Sequence, residues 1–106
     1  MVDIDTIKDE IVERLKPLGP DKIILFGSHA NGTADEDSDI DLFLVNNKTK
    51  GEIQYRLEAI LRLRDLTKKY KIGFDILSAS NEFLQEREDY FYHIDILKKG
   101  KVLYAK

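Results

Sequence analysis

FGSHANGTADEDSDIDLFLV, residues 26–45, decides the reading of this chain. A Gly-Ser pair, Gly27-Ser28, is followed after ten residues by Asp39-Ile40-Asp41, and the run then continues as the apolar segment Leu42–Val45. Asp35, Glu36, Asp37, Asp39 and Asp41 crowd into this stretch. Unit charges about 4 Å apart repel by roughly 4 kcal/mol at an effective dielectric near 20, so either water or a cation must relieve the crowding.

Spacing separates these acids. In a strand, residues i and i+2 share a face, which puts the Asp39 and Asp41 side chains together on Cα atoms roughly 6.5–7 Å apart. Ile40, Leu42 and Leu44 then point to the opposite face and can anchor the strand in a core. Asp35, Glu36 and Asp37 fall in the loop before the strand and are expected to be solvated. Asp75, in GFDIL, is a further acid inside an apolar strand pattern. If its strand lies beside DIDLF, three oxygen donors meet, a set suited to Mg²⁺ or Mn²⁺. A calcium EF-hand loop starting at Asp35 would need Gly at position 40 and Glu at 46, and the chain has Ile40 and Asn46. Starting at Asp37 fails likewise, on Leu42 and Lys48. Glycine at 27 lets a backbone approach a ligand closely, and the Ser28 hydroxyl can hold a phosphate oxygen.

Working outward, Ile4, Ile7, Ile11, Leu15 and Leu18 recur at helical spacing after a capping Asp3 or Asp5, and Pro17–Pro20 ends that helix. KIILF (22–26) is a strand, and DIDLFLV (39–45) is a second, closed by the turn residues NNKTKG. Ile53, Leu57, Ile60, Leu61, Leu63 and Leu66 predict one long helix over about 52–70. IGFDIL (72–77) is a third strand. A helix from Ser80 or Asn81 to about Lys98, stopped by Gly100, precedes a terminal strand KVLYA. The predicted order is α-β-β-α-β-α-β.

The chain has 106 residues, 42% of them hydrophobic, which fits a single domain over 1–106 with a real core. Its net charge of −3 argues against broad nucleic-acid binding. With no cysteine there is neither a disulfide framework nor a thiolate zinc site. No apolar run approaches about 18 residues, so no membrane span is expected and a cytoplasmic location is.

Gly27-Ser28, ten residues, Asp39-Ile40-Asp41 and a third acid at Asp75 together resemble the signature of the polymerase-beta-like nucleotidyltransferases, in particular their minimal (MNT) group. Chain length and element order match as well. The resemblance implies an α/β (α+β) fold, a small mixed sheet flanked by helices. It also implies transfer of a nucleoside monophosphate from an NTP to an acceptor, with Asp39, Asp41 and Asp75 binding two Mg²⁺ ions and Gly27 and Ser28 holding the triphosphate. Asp39 and Asp41 are the implied catalytic pair. Relatives often act as antitoxins beside a HEPN ribonuclease toxin, attaching AMP from ATP to a toxin tyrosine or blocking it by binding. One departure stands out: family members often carry G-S-R-x-R-G, where this chain has His29 and Asn31. The rival class is an inactive nucleotidyltransferase-fold protein that neutralises its partner by binding alone. Arg87 and His93 also sit at the loose spacing of a HEPN ribonuclease motif, but that fold is all-helical and the strand patterns oppose it.

Overall fold

The structure is a computed structural model that describes residues 3–46, 52–80 and 99–106. Helix α1 (Ile4–Leu15) starts where Asp3 accepts the Asp5 backbone N–H at 3.0 Å, a side-chain cap that satisfies an otherwise orphaned donor. Its buried stripe is Ile7, Ile11 and Leu15. A 3-10 turn (Lys16–Leu18) and Gly19 at φ 72° end it, as the prolines predict.

Strands β1 (Lys22–Phe26), β2 (Ile40–Val45), β3 (Phe74–Ala79) and β4 (Lys101–Ala105) form one sheet in the order β3-β2-β1-β4. β2 and β4 run antiparallel to β1, and β2 runs parallel to β3, so the sheet is mixed. Between β1 and β2 lies a short helix α2 (Ser28–Asn31), where the sequence suggested only a turn.

Alternation along β1 and β2 divides the apolar residues between two faces. Ile23, Leu25, Ile40, Leu42 and Leu44 pack with α1 and with Leu63, Leu66 and Ile76 in the main core. Ile24, Phe26, Phe43, Val45 and Ala79 form a second cluster on the other face. Asp41 alternates with Ile40 and Leu42, so it shares the second face. Shaving one buried methylene from the strand centre, Ile23→Val, is expected to cost about 1 kcal/mol, seen as a lower urea midpoint at unchanged m-value.

The predicted helix over 52–70 is two helices, α3 (Glu52–Arg62) and α4 (Arg64–Tyr70). They break at Leu63, whose N–H is shared between the carbonyls of Ala59 at 3.1 Å and Ile60 at 3.2 Å. The inward face also differs. Tyr55, Ala59, Leu63 and Leu66 are buried, whereas Leu57, Ile60 and Leu61 are 56%, 44% and 62% exposed. Two apolar stripes run along this segment, and the tighter turn at Leu63 brings the Tyr55–Ala59 stripe, not the Leu57–Leu61 one, into register with Leu66.

Arg14 in α1 pairs with Asp65 in α4 at 2.9 Å, and Glu10 accepts from the Tyr70 hydroxyl at 2.7 Å and the Lys69 ammonium at 3.0 Å. These contacts latch the two helices together and hold the Asp65 and Glu10 carboxyls below their usual range. β3 starts at Phe74, not Ile72. The turn NNKTKG beyond Asn46, the predicted helix over 81–98, and with it Arg87 and His93, lie outside the described residues.

Candidate functional site

β1 ends at Phe26, and Gly27 follows at φ 73°, ψ −153°, a backbone conformation open to glycine and strained for any residue with a Cβ. The Gly27 carbonyl accepts the N–H groups of Ala30 at 3.1 Å and Asn31 at 3.0 Å, winding α2 around the turn. Gly32 at φ 75° closes it. Ser28 therefore sits at the head of α2, half-buried, at the end of β1.

That same end of the sheet gathers the acids. Asp41 lies opposite Phe26 across the β1–β2 ladder and directly beside Asp75 across the β2–β3 ladder. The strand-neighbour condition for Asp75 is thus met. The Asp41 carboxylate rests on Gly27 so closely that a Cβ there would overlap it. Asp39 rests on Gly73 in the same manner: a Cβ on Gly73 would fall 2.6 Å from Asp39 Oδ1. Two glycines at the ends of the flanking strands, Gly27 just after β1 and Gly73 just before β3, thus open the seats that the Asp41 and Asp39 carboxylates occupy.

Burial, a hydrogen bond with Asp75, and the charges of Asp75 and Asp39 push the Asp41 carboxyl up to about 6, with His29 acting in the opposite direction. A carboxyl raised by its acidic neighbours holds a proton where a cation would serve as well. Hard oxygen donors, one of them reluctant to ionise alone, fit a divalent ion of the magnesium type. The fit is of donor chemistry and neighbourhood only: among the described residues, no three such side chains are gathered closely enough to hold an ion as they stand. Asp41 and Asp75 form the close pair, and Asp39 stands at the strand entrance, exposed.

Three features escape sequence reasoning. His29 is 9% exposed, and its Nε2 lies 3.1 Å from the Ser38 carbonyl, so it is a packed, hydrogen-bonded ring, not a surface charge standing in for arginine. Gly73 is legible only as a glycine two residues before Asp75. Asp35 is exposed but not idle, because its Oδ1 accepts the Asp37 N–H at 2.9 Å and the Ser38 hydroxyl at 3.1 Å, shaping the loop into β2. A cavity of about 440 Å³ between the start of α1 and β4 touches His29 and is lined by Asp3, Asp5 and Asp9, but not by Asp39, Asp41 or Asp75.

The mixed sheet, the glycine turn and the Asp-x-Asp strand define the fold of a nucleotidyltransferase. The family model for the nucleotidyltransferase domain matches residues 4–105, and the chain belongs to that family. It is 30% identical over 101 residues to a Methanocaldococcus jannaschii protein named as a candidate protein adenylyltransferase, covering 95% of this chain and 90% of that one. Its fold matches a chain of a toxin–antitoxin complex crystallised with AMP-PNP, with a TM-score of 0.64 at 24% identity, covering 93% of this chain and 73% of that chain. A variant of the MntA–HpeT toxin–antitoxin pair matches with a TM-score of 0.62 at 22% identity and the same coverage. The α/β fold and the nucleotidyltransferase class expected from the sequence are both met.

Proposed function

We propose that this nucleotidyltransferase moves AMP from ATP to a hydroxyl of a partner protein, a tyrosine of a HEPN-type ribonuclease toxin, and so acts as its antitoxin. The observation that carries the reading is the seating of Asp41 between the Gly27 turn and Asp75. It puts paired carboxylates beside a turn suited to phosphate. The adenylyl group and protein acceptor follow the name of the archaeal relative, and the antitoxin role follows the similar fold seen in toxin–antitoxin complexes.

Asp39, Asp41 and Asp75 would hold two Mg²⁺ ions, with Mn²⁺ an acceptable substitute, and the bound metal supplies charge neutralisation at the phosphates and a lowered acceptor pKa. Ser28 donates its hydroxyl to a phosphate oxygen, and Gly27 lets the backbone approach without a side chain in the way. The acceptor oxygen bonds to the α-phosphorus as the bond to pyrophosphate breaks, and the hydroxyl proton leaves to a carboxylate of the cluster or to water. Asp75, exposed on the edge strand β3, is a carboxylate open to an incoming acceptor, as Asp39 is, whereas Asp41 is half-buried.

One observation favours the second reading, an inactive binder. His29, where relatives often carry arginine, is buried and engaged with Ser38, and Asn31 adds no charge. Incubation with labelled ATP, Mg²⁺ and the product of the neighbouring gene separates the two. Label on the partner, lost with Asp39→Asn, supports transfer. Tight neutralising binding without label, unchanged by that substitution, leaves the binder. No helix among the described residues is long and apolar enough to cross a membrane.

A further inference from the structure

Asp39 precedes the first residue of β2 and is exposed, so the ladder alone does not fix it. Its two flanking peptide groups are nevertheless both held. On the N-terminal side, the Ser38 carbonyl accepts from His29 Nε2 at 3.1 Å, which requires the proton to be on Nε2. On the C-terminal side, the Ile40 N–H donates to the Gly73 carbonyl at 2.9 Å. Gly73 acts twice, because its missing Cβ is also the space the Asp39 carboxylate fills. Its φ is not in the left-handed region, so backbone conformation does not demand glycine there.

We propose that His29 and Gly73 are positioning residues that clamp Asp39 from both sides and aim its carboxylate into the acid cluster. In this chain position 29 is thus occupied by a ring that works through the backbone of Ser38. The inference rests on the reading of Asp39 as a metal ligand, and it deepens that reading by naming what makes an edge residue a fixed one. Groups that orient a ligand from behind typically change metal affinity by about 10–100-fold when removed.

Four proteins test it: wild type, His29→Leu, His29→Gln and Gly73→Ala. Glutamine keeps a donor at similar reach, whereas leucine fills the buried space without one. Alanine at 73 collides only with the free end of an exposed carboxylate, which can swing aside while the fold stays. Manganese binding, followed by electron paramagnetic resonance without nucleotide, is expected to weaken about 10–100-fold in His29→Leu and Gly73→Ala. In His29→Gln it should return to within about 3-fold of wild type, and Gly73→Ala should melt within a few degrees of wild type. In the transfer assay the Mg²⁺ concentration for half-maximal rate should rise, while the rate at saturating Mg²⁺ changes less. Wild-type manganese affinity in both His29→Leu and Gly73→Ala overturns the proposal.

A readout without metal keeps the clamp separate from the metal reading. Amide exchange at Ile40 should quicken about 10-fold or more in His29→Leu, recover in His29→Gln, and leave Leu42 in the strand centre unchanged. If wild type shows no manganese binding sensitive to Asp41→Asn, the metal reading fails and the exchange data alone decide the clamp. Ile40 exchange unchanged in His29→Leu then overturns it.

Discussion

Asp41→Asn is expected to abolish nucleotidyl transfer while making the metal-free protein more stable at neutral pH. Asp41 is the central acid, placed between the Gly27 turn and Asp75. Its removal takes one charge from the point where the phosphates and their cations would meet, a loss on the order of 10³-fold in rate. Stability moves the other way. The native carboxyl titrates at about 6, against 3.8 for the ordinary group. Between those values the native state holds a proton that the unfolded chain has released, so metal-free stability falls as pH rises from about 4 through about 6 and stays lower above that. A shift of about two units corresponds to about 3 kcal/mol. Asp41 is half-buried and still in contact with solvent, which screens that to the order of 1 kcal/mol. Asparagine carries no such cost. Melting curves from pH 4 to 8 in EDTA should therefore show a downward slope in wild type and a flatter one in the variant. Added Mg²⁺ should raise the wild-type midpoint and leave that of the variant unmoved. Parallel curves would mean that Asp41 bears no repulsion for a cation to relieve.

The elements that position the site were legible because their signals are local. Branched apolar runs bounded by turn residues mark β1, β2 and β4, and the i, i+2 spacing of Asp39 and Asp41 predicts a shared face, although Asp39 stands one residue before β2. Asp75 was legible only conditionally, since its role depends on which strand lies beside β2. That register is a property of the crossover through α3 and α4, not of any residue near Asp75. The helical segment misled for a related reason. Leu57, Ile60 and Leu61 satisfy helical spacing as well as Tyr55, Ala59 and Leu63 do, and only the break at Leu63 decides between them. His29 and Gly73 were illegible because their partners, the Ser38 carbonyl and the Asp39 carboxylate, are brought to them by the loop and by β3 pairing. A buried histidine and a glycine without positive φ carry no mark in one sequence.

Gly27→Ala is expected to lose both fold stability and activity, and three glycines of this chain allow the two losses to be separated. Gly19, Gly27 and Gly32 share nearly the same φ, 72°, 73° and 75°. Gly19 and Gly32 have ψ values of 37° and 18°, and nothing lies within 4 Å of a Cβ placed on either. Alanine at those positions is expected to cost about 1 kcal/mol, the ordinary penalty of the left-handed region. Gly27 differs twice. Its ψ of −153° puts it in a region essentially reserved for glycine, at about 1–3 kcal/mol for another residue. Its Cβ would also overlap the Asp41 carboxylate, which lies on a ladder-paired strand and cannot simply swing into solvent as Asp39 can. Relief requires moving either the turn that carries Ser28 or the carboxylate itself. A displacement of about 1 Å at a reacting centre costs about 10²-fold in rate. Gly27→Ala should therefore melt about 10 °C or more below wild type and lose about 10²-fold or more of its transfer rate. Gly19→Ala should melt about 4–8 °C lower with its rate intact. If the two variants lose stability equally and both retain activity, the close approach of Asp41 to Gly27 has no part in the site. A rate lost only at Gly27 ties the strained turn to the chemistry, because the backbone conformation that excludes every other residue is the one that lets the carboxylate lie against it.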